Sequence, residues 1–235
     1  TSYFKLEIEK SSLRITAKNS GERLMADLSE VRRVNGSVIL ERAADPSEKY
    51  YGLGLRAASN VDLRGQTIRA GKPFLISSRG YGEYYTSPGA YTFDLASSNP
   101  DRRRVTIEGA DSLEYFFYYG PTPKEILEEH LTVAGGIGSF SSADFGILES
   151  GQLPKGAIAL PVPKEGSWAN LRESAAYLAH AGMSACLLAA FDLSPYQSGS
   201  EALFSRAVQF GSVMPILYAS SRGSLREAEK GRAYK

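Results

Sequence analysis

The first half of the chain alternates apolar and polar residues with a period of two. Residues 3–8, 37–40 and 105–108 show this alternation, which is typical of half-buried strands. Clusters of Gly, Asn, Asp and Ser separate the runs, and Asn35-Gly36 is typical of a tight hairpin turn. The pattern predicts roughly eight to ten short strands over residues 1–120, arranged as an antiparallel β-sandwich.

The pattern changes after residue 120. Thr122-Pro123-Lys124-Glu125 is a capping box with proline at the first helical position, and it predicts a helix that Gly135-Gly136 ends. Further strands are predicted at 156–162, 185–192 and 214–219, and further helices at 167–181, 200–210 and 224–230. Because strands separated by helices indicate parallel βαβ units, the predicted fold is mixed α+β. A sandwich over 1–120 would precede a partial (β/α) barrel over 121–235.

Composition excludes several classes of function. Lys and Arg number 27 against 26 Asp and Glu, so the net charge of +1 favours neither nucleic acid nor a membrane surface as partner. The one basic run, Arg102-Arg103-Arg104, is interpreted as a solvated strand edge or turn. No apolar stretch of about 18 residues occurs, and one Cys with two His predicts neither a metal site nor a cofactor. No signal-peptide pattern opens the sequence, so a cytoplasmic location is expected.

Four motifs follow one another in the first half of the chain. They occupy residues 48–54, 62–65, 73–82 with 91–94, and 113–125, and the segment 73–82 is the most specific. Together they resemble the N-terminal domain of family 31 glycoside hydrolases, which include α-glucosidases and α-xylosidases. The resemblance implies a galactose-mutarotase-like β-sandwich. Leu55 stands where the family usually has an acidic residue.

The second half resembles the same family more faintly. Residues 166–172 contain a Ser-Trp segment similar to the one that begins a helix after the family's acid/base strand. Residues 207–215 resemble the family's Gln-Phe-Gly helix and the strand that follows it. The resemblance therefore covers both ends of such an enzyme without its middle, which implies an internal deletion.

The residues that perform hydrolysis in this family are missing from the matching positions. The family's nucleophile lies in a Trp-x-Asp-Met-Asn-Glu motif that the chain lacks, and its acid/base Asp corresponds to Pro163. Tyr218 and Ser220 stand where the family has a substrate-binding Arg and His. Retaining glycosidases need two carboxyl groups roughly 5 Å apart, so the resemblance implies the fold rather than the activity.

Two other carboxylates are weak candidates for catalysis. Asp192 follows an apolar strand, and Glu165 lies in the loop after the preceding strand, where barrel enzymes keep their site residues. The pair would suit acid/base chemistry, whereas the simpler interpretation is that both residues cap or solvate loops.

Four residues are candidates for contact with a saccharide. Asp62 and Arg64 lie in a sandwich loop, and such loops lean over the barrel mouth in the resembling family. Tyr81 would offer a ring face to a sugar, although alternation along a strand buries half of such residues. Trp168 belongs to the Ser-Trp segment.

The first hypothesis is a non-catalytic relative of α-glucosidases that serves as a carbohydrate- or protein-binding or assembly module. One alternative is a glycoside hydrolase that uses relocated carboxylates. A second is a subunit that completes its barrel with another chain. Because a half barrel leaves strand edges and an apolar face uncovered, we expect a homo-oligomer or a covering partner protein.

Overall fold

The computed structural model describes residues 4–9, 12–17, 20–56, 60–135, 158–159, 163–186 and 188–219. Contacts among these residues form two compact units. The first holds the described chain up to residue 135, apart from 57–59, together with 182–185, and the second holds the rest. The boundary between residues 120 and 121 stays a prediction.

Antiparallel strands build the first unit. They are β1 (Phe4–Glu9), β2 (Ser12–Ala17), β3 (Arg23–Ala26), β4 (Arg32–Val34), β5 (Ser37–Ala43), β6 (Tyr50–Gly52), β7 (Thr67–Ala70), β8 (Phe74–Ser77), β9 (Tyr81–Tyr85), β10 (Ala90–Leu95), β11 (Arg102–Glu108) and β12 (Tyr115–Tyr119). They form sheets with the orders β1-β2-β3, β4-β5-β11-β10-β7 and β12-β9-β8-β6. The predicted hairpin turn joins β4 to β5, with φ of 50° at Asn35 and 75° at Gly36.

The five-stranded and four-stranded sheets share one apolar core, so the predicted antiparallel sandwich is confirmed. Alternation along β11 buries every second side chain, as a strand with one face on the core requires, and β5 follows the same pattern apart from Glu41, which is also buried. The core side chains are Val38, Leu40, Tyr50, Leu53, Leu63, Ile68, Leu75, Tyr85, Tyr91, Phe93, Leu95, Val105, Ile107 and Ala110.

Helix α1 (Pro123–Ala134) covers the other face of the four-stranded sheet. Thr122 and Glu125 form the predicted capping box, and Gly135 ends the helix in the left-handed conformation with φ of 94°. Ile126 packs against Phe74, Ile76 and Tyr118. Gly82 allows this close approach, because a Cβ there would lie 2.5 Å from Ile126 Cγ2.

Strands and helices alternate in the second half, as predicted. The elements are β13 (Ile158–Ala159), α2 (Trp168–Met183), β14 (Ala189–Asp192), α3 (Glu201–Gly211) and β15 (Ile216–Tyr218), with a short 3-10 turn at Ser194–Tyr196. The three strands form a parallel sheet of order β13-β14-β15, which confirms a partial α/β barrel. Side chains from helices and strands bury its core: Leu171, Ala189, Phe191, Tyr196, Leu203, Ala207 and Met214.

Two predicted boundaries near Gly182 are wrong. Helix α2 continues through Gly182, where the sequence predicts a stop, and the left-handed residue is Ala185, with φ of 55°. The predicted strand 185–192 consequently begins at Ala189. The helix predicted at 224–230 lies outside the described residues. Among the helices of the described chain, none is both long and apolar enough to cross a bilayer.

His130 fixes α1 to the sheet through an uncharged ring. Its imidazole stacks on Phe74 with 3.9 Å between ring centroids, and its Nδ1 lies 3.3 Å from the Tyr118 hydroxyl. The ring is fully buried, and Nε2 has no hydrogen-bond partner among the described residues. Burial, assisted by the Lys72 charge, lowers the pKa of His130 from 6.5 to about 4.

We predict that His130 makes the first unit less stable as pH falls from 6.5 towards 4. In that window the unfolded chain binds a proton that the folded protein excludes, so unfolding is favoured; above it both states are neutral. The free energy of unfolding, measured by urea titration at several pH values, should fall more steeply in wild type than in His130→Phe, which keeps an aromatic ring on Phe74. Parallel curves for the two proteins would contradict the assignment.

Candidate functional site

A network of charged and phenolic side chains lies between the two sheets of the sandwich. Glu83 of β9, fully buried, is its centre. Its carboxylate accepts hydrogen bonds from Arg103 Nη1 at 2.9 Å and from the Tyr85 hydroxyl at 2.7 Å, and it lies 2.6 Å from Arg42 Nη1. Arg42 also donates from Nε to Asp27 at 2.8 Å. The network therefore joins both large sheets and the end of β3.

The electrostatics of this network favour a permanent carboxylate at Glu83. Burial by itself would raise the pKa of Glu83, but the guanidinium groups of Arg103 and Arg42 outweigh it and lower the pKa to about 2. Burial likewise raises the pKa of Tyr85 well above its usual range. An ionised Glu83 and a protonated Tyr85 make this a fixed set of charges without a proton to transfer near neutral pH.

Glu48 is a second buried carboxylate, in the loop before β6, and hydroxyl groups surround it. Its oxygens accept from Ser77 Oγ and the Tyr81 hydroxyl, both at 2.5 Å, and from the Tyr50 hydroxyl at 2.9 Å. Arg103 Nη2 reaches the same Tyr81 hydroxyl at 3.3 Å, which links this cluster to Glu83. Because Glu48 is 2% exposed, these contacts serve the interior of the sandwich.

Arg103 corrects one interpretation of the sequence. The basic run at 102–104 was expected at a solvated edge, but β11 is the central strand of its sheet and Arg103 is 1% exposed. Arg103 has the same parity along the strand as Val105 and Ile107, and this shared face is the signal that could have placed it inside. Its neighbours in the run, Arg102 and Arg104, do reach the surface and pair with Glu41.

Asp62 and Arg64, two predicted contacts for a saccharide, lie in a loop and form hydrogen bonds to backbone groups around it. Asp62 Oδ1 accepts from the backbone N–H of Tyr50 at 3.2 Å and of Arg64 at 3.0 Å. The Arg64 guanidinium donates to the carbonyl oxygens of Glu48 and Pro100 at 3.3 and 2.7 Å. Both side chains are half-buried, and these contacts hold the loop.

Tyr81, the third candidate, lies in the core. It is 1% exposed, its ring stacks on Phe117, and its hydroxyl binds Glu48. Strand alternation places it on the same inner face as Glu83 and Tyr85, so the ring presents no face at the surface of the described chain.

The two candidate catalytic carboxylates differ in exposure. Asp192 ends β14, is 5% exposed, and accepts from the backbone N–H of Ser194 at 2.9 Å. Glu165 is exposed in the loop before α2. The strands of the parallel sheet end at Ala159, Asp192 and Tyr218, so one carboxylate stands at a strand end in the described part of the sheet.

Trp168, the fourth candidate for a saccharide contact, lies at the surface. It is the single tryptophan of the sequence, begins α2, and is 52% exposed. Ser167 precedes it and accepts the backbone N–H of Asn170 at 3.2 Å, which caps the helix. Trp168 lines a cleft between α2 and α3, called here the helix cleft, of about 350 Å³; the other lining residues are Leu171, Arg172, Ala175, Arg206 and Phe210.

The sequence is similar to known α-xylosidases. An α-xylosidase of Lactiplantibacillus pentosus is 37% identical over 114 residues, which cover 43% of this chain and 15% of that protein. An α-xylosidase of Emericella nidulans is 34% identical over 114 residues, with 43% of this chain and 14% of that protein covered. Over the matched residues the chain is related to α-xylosidases, as its resemblance to family 31 glycoside hydrolases implies. No protein-family model matches it.

Structures of family 31 enzymes are among the solved structures that match. A family 31 dextranase of Flavobacterium johnsoniae, in complex with glucose, aligns with a TM-score of 0.48 at 20% identity and covers 55% of this chain and 20% of its own. A family 31 α-xylosidase from a soil metagenome aligns with a TM-score of 0.44 at 19% identity, covering 55% of this chain and 26% of its own. The chain spans about 15% of the length of the curated α-xylosidases it matches.

The positions of the second half that the sequence resemblance compares with family 31 site residues carry no acidic group in this chain. Pro163, which the resemblance places at the family's acid/base position, is half-buried and has no ionisable side chain. Tyr218 ends β15, and Ser220 lies outside the described residues. In the described residues, no three His, Cys, Asp or Glu side chains group as metal ligands would.

We predict that Glu83→Gln lowers the free energy of unfolding of the first unit by about 3–5 kcal/mol, because two buried guanidinium groups lose their shared counter-charge. The matched control is Glu108→Gln, since Glu108 is half-exposed and its nitrogen–oxygen distance to Arg69 is 3.9 Å. The control should change the stability by less than about 0.5 kcal/mol. Urea titration followed by tyrosine near-ultraviolet circular dichroism measures both. Equal effects would mean that the network contributes no more than a surface pair.

Proposed function

We propose that this chain is a non-catalytic relative of family 31 glycoside hydrolases that binds a carbohydrate in the helix cleft. The observation that carries the proposal is the exposed ring of Trp168 beside Arg172, Arg206 and Phe210 in an open cleft. Sugar rings bind to aromatic faces through their C–H groups, and their hydroxyls accept hydrogen bonds from arginine. The cleft volume of about 350 Å³ lies at the small end of the usual range for ligand sites, about 300–1,000 Å³.

The absence of catalysis is supported by the placement of carboxylates. Retaining glycosidases require a nucleophile and an acid/base roughly 5 Å apart, and inverting ones two carboxyl groups roughly 6.5–9.5 Å apart. At the strand ends of the described sheet only Asp192 has a carboxylate, and it already accepts a backbone hydrogen bond in a buried site. The other buried carboxylates of the described chain are Glu41, Glu48 and Glu83, and all three belong to the sandwich, where Glu41 pairs with Arg102 and Arg104.

We predict that the purified chain does not release nitrophenol from 4-nitrophenyl α-D-xyloside or α-D-glucoside above the rate in buffer. The test compares wild type with Asp192→Asn and Glu165→Gln prepared in the same way, so that a contaminating glycosidase would act equally in all three. Turnover in wild type that Asp192→Asn abolishes would replace this proposal with a glycoside hydrolase that uses relocated carboxylates.

We predict that saccharides bind to the helix cleft and change the fluorescence of Trp168, which as the single tryptophan reports this site alone. D-xylose, D-glucose and isomaltose, with D-glucuronate as an acidic sugar, form a suitable panel. Calorimetry should show that Trp168→Ala weakens binding by about tenfold or more, as loss of one aromatic platform worth 1–3 kcal/mol implies. Trp168→Phe should retain part of the affinity.

The matched control is Phe116→Ala, because Phe116 is another exposed aromatic residue, 40% exposed, and belongs to β12 of the first unit. It should leave saccharide binding unchanged. Light scattering on the same samples separates ligand binding from assembly. Failure of every saccharide to bind, together with a mass above that of the 25.5 kDa monomer, would favour the alternative of a subunit that completes its barrel with another chain.

One observation supports that alternative. Strands β13 and β15 each pair only with β14 in the part of the chain that the structure describes, and Leu217 on β15 is 38% exposed. An edge strand with free N–H and C=O groups pairs readily with another strand. The helix cleft is the stronger basis, because its aromatic and guanidinium groups already form a concave surface.

A further inference from the structure

The helix cleft has a positive charge from two arginines, and binding of a neutral sugar does not require this charge. Arg172 of α2 and Arg206 of α3 line it, and no Asp or Glu is among its lining residues. Both arginines are exposed. Within the described chain neither forms an ion pair, and Arg206 donates from Nη1 to the Gln209 amide oxygen at 2.9 Å. The cleft therefore presents two positive charges that no carboxylate of the described residues neutralises.

A second cleft of the molecule contains an arginine whose charge is paired with carboxylates. It lies in the first unit and has a volume of about 280 Å³, and its lining combines Arg23 and Arg79 with the acidic residues Asp45, Glu48 and Asp101. Arg79 binds Glu22 at 2.7 Å and Asp45 at 3.1 Å. The charge of Arg79 is therefore neutralised by carboxylates of the protein, whereas Arg172 and Arg206 remain available to a ligand.

We propose that the helix cleft selects a saccharide that carries a carboxylate, sulfate or phosphate group. This inference rests on the proposed carbohydrate site and names the chemical class of its ligand. The sugar ring packs on Trp168, and its anionic group accepts hydrogen bonds from Arg172 and Arg206. Guanidinium groups suit this role because their N–H groups match two oxygens of one oxyanion, with hydrogen bonds about twice as strong as those between neutral groups.

The aromatic residues of the cleft separate this ligand from a simple anion. A free inorganic anion would gain only the two guanidinium contacts, whereas a saccharide also covers Trp168 and Phe210, the aromatic part of the lining. The cleft combines an apolar platform with two charges, and a charged sugar ring has both complementary features.

The experiment compares D-glucuronate with D-glucose, which share the same ring and differ in the oxidation of C6. Fluorescence of Trp168 follows the binding of each sugar, and sodium acetate serves as a carboxylate without a ring. We expect glucuronate to bind at least about tenfold more tightly than either glucose or acetate. Raising NaCl from 0.05 to 0.5 M should weaken glucuronate binding by about threefold or more, because exposed charges are screened.

Arginine variants test which groups produce this preference. Arg172→Gln and Arg206→Gln should each reduce the ratio of glucuronate to glucose affinity by about fivefold or more, since glutamine keeps hydrogen-bonding capacity without the charge. Arg69→Gln is the matched control, because Arg69 is 76% exposed and lies on β7 of the first unit. It should leave the ratio unchanged.

The outcomes separate the two proposals. Equal affinities for glucuronate and glucose, independent of salt, would overturn the selection of an acidic sugar and leave the carbohydrate site intact. A preference that survives both arginine substitutions would also overturn it. If neither sugar binds while sodium acetate does, the carbohydrate site itself is refuted and the cleft binds carboxylates without a sugar ring.

Discussion

Two arginines face each other on neighbouring strands inside the sandwich, and one carboxylate from the opposite sheet holds them there. Arg42 and Arg103 are direct partners in the antiparallel pairing of β5 with β11. Like charges in such positions repel, and each also loses its hydration when buried. Glu83 reaches across from β9 to both. A one-residue slip of β9 would turn Glu83 away from the arginines. The ion pairs of Glu83 therefore determine, together with apolar packing, which face of each sheet points inward.

The same interaction explains why the predicted saccharide contacts of the sandwich do not form a binding surface. The inner face of β9 presents Tyr81, Glu83 and Tyr85 to the network, so their polar groups are engaged inside the protein. Asp62 and Arg64 are engaged with the backbone around them. The polar side chains that the family resemblance draws attention to stabilise the sandwich. An accessible aromatic surface with unpaired charge occurs instead between α2 and α3.

The fold that relates a chain to a hydrolase family and the residues that give hydrolytic activity lie in different parts of a structure. The fold of a family 31 relative follows from strand alternation, turns and helix caps spread along the chain, each of which contributes a little. The activity depends on two carboxyl groups at a defined separation. The described strand ends of this chain offer Asp192 alone.

The sequence by itself determined the elements and their class. Period-two alternation predicted the sandwich strands, the Thr122–Glu125 capping box predicted the start of α1, and alternating apolar and helical segments predicted the parallel sheet. These signals are local, because residues within one turn or one strand decide them. Strand parity indicates the inner face for Arg103, but tertiary structure alone decided that charged side chains at Arg42 and Arg103 stay buried there. It also decided that Tyr81 is a core residue and Trp168 a surface one, and that α2 continues through Gly182. Burial of a charge depends on a partner such as Glu83, 20 residues from Arg103 along the chain and on another sheet, and no pattern within β11 contains that partner.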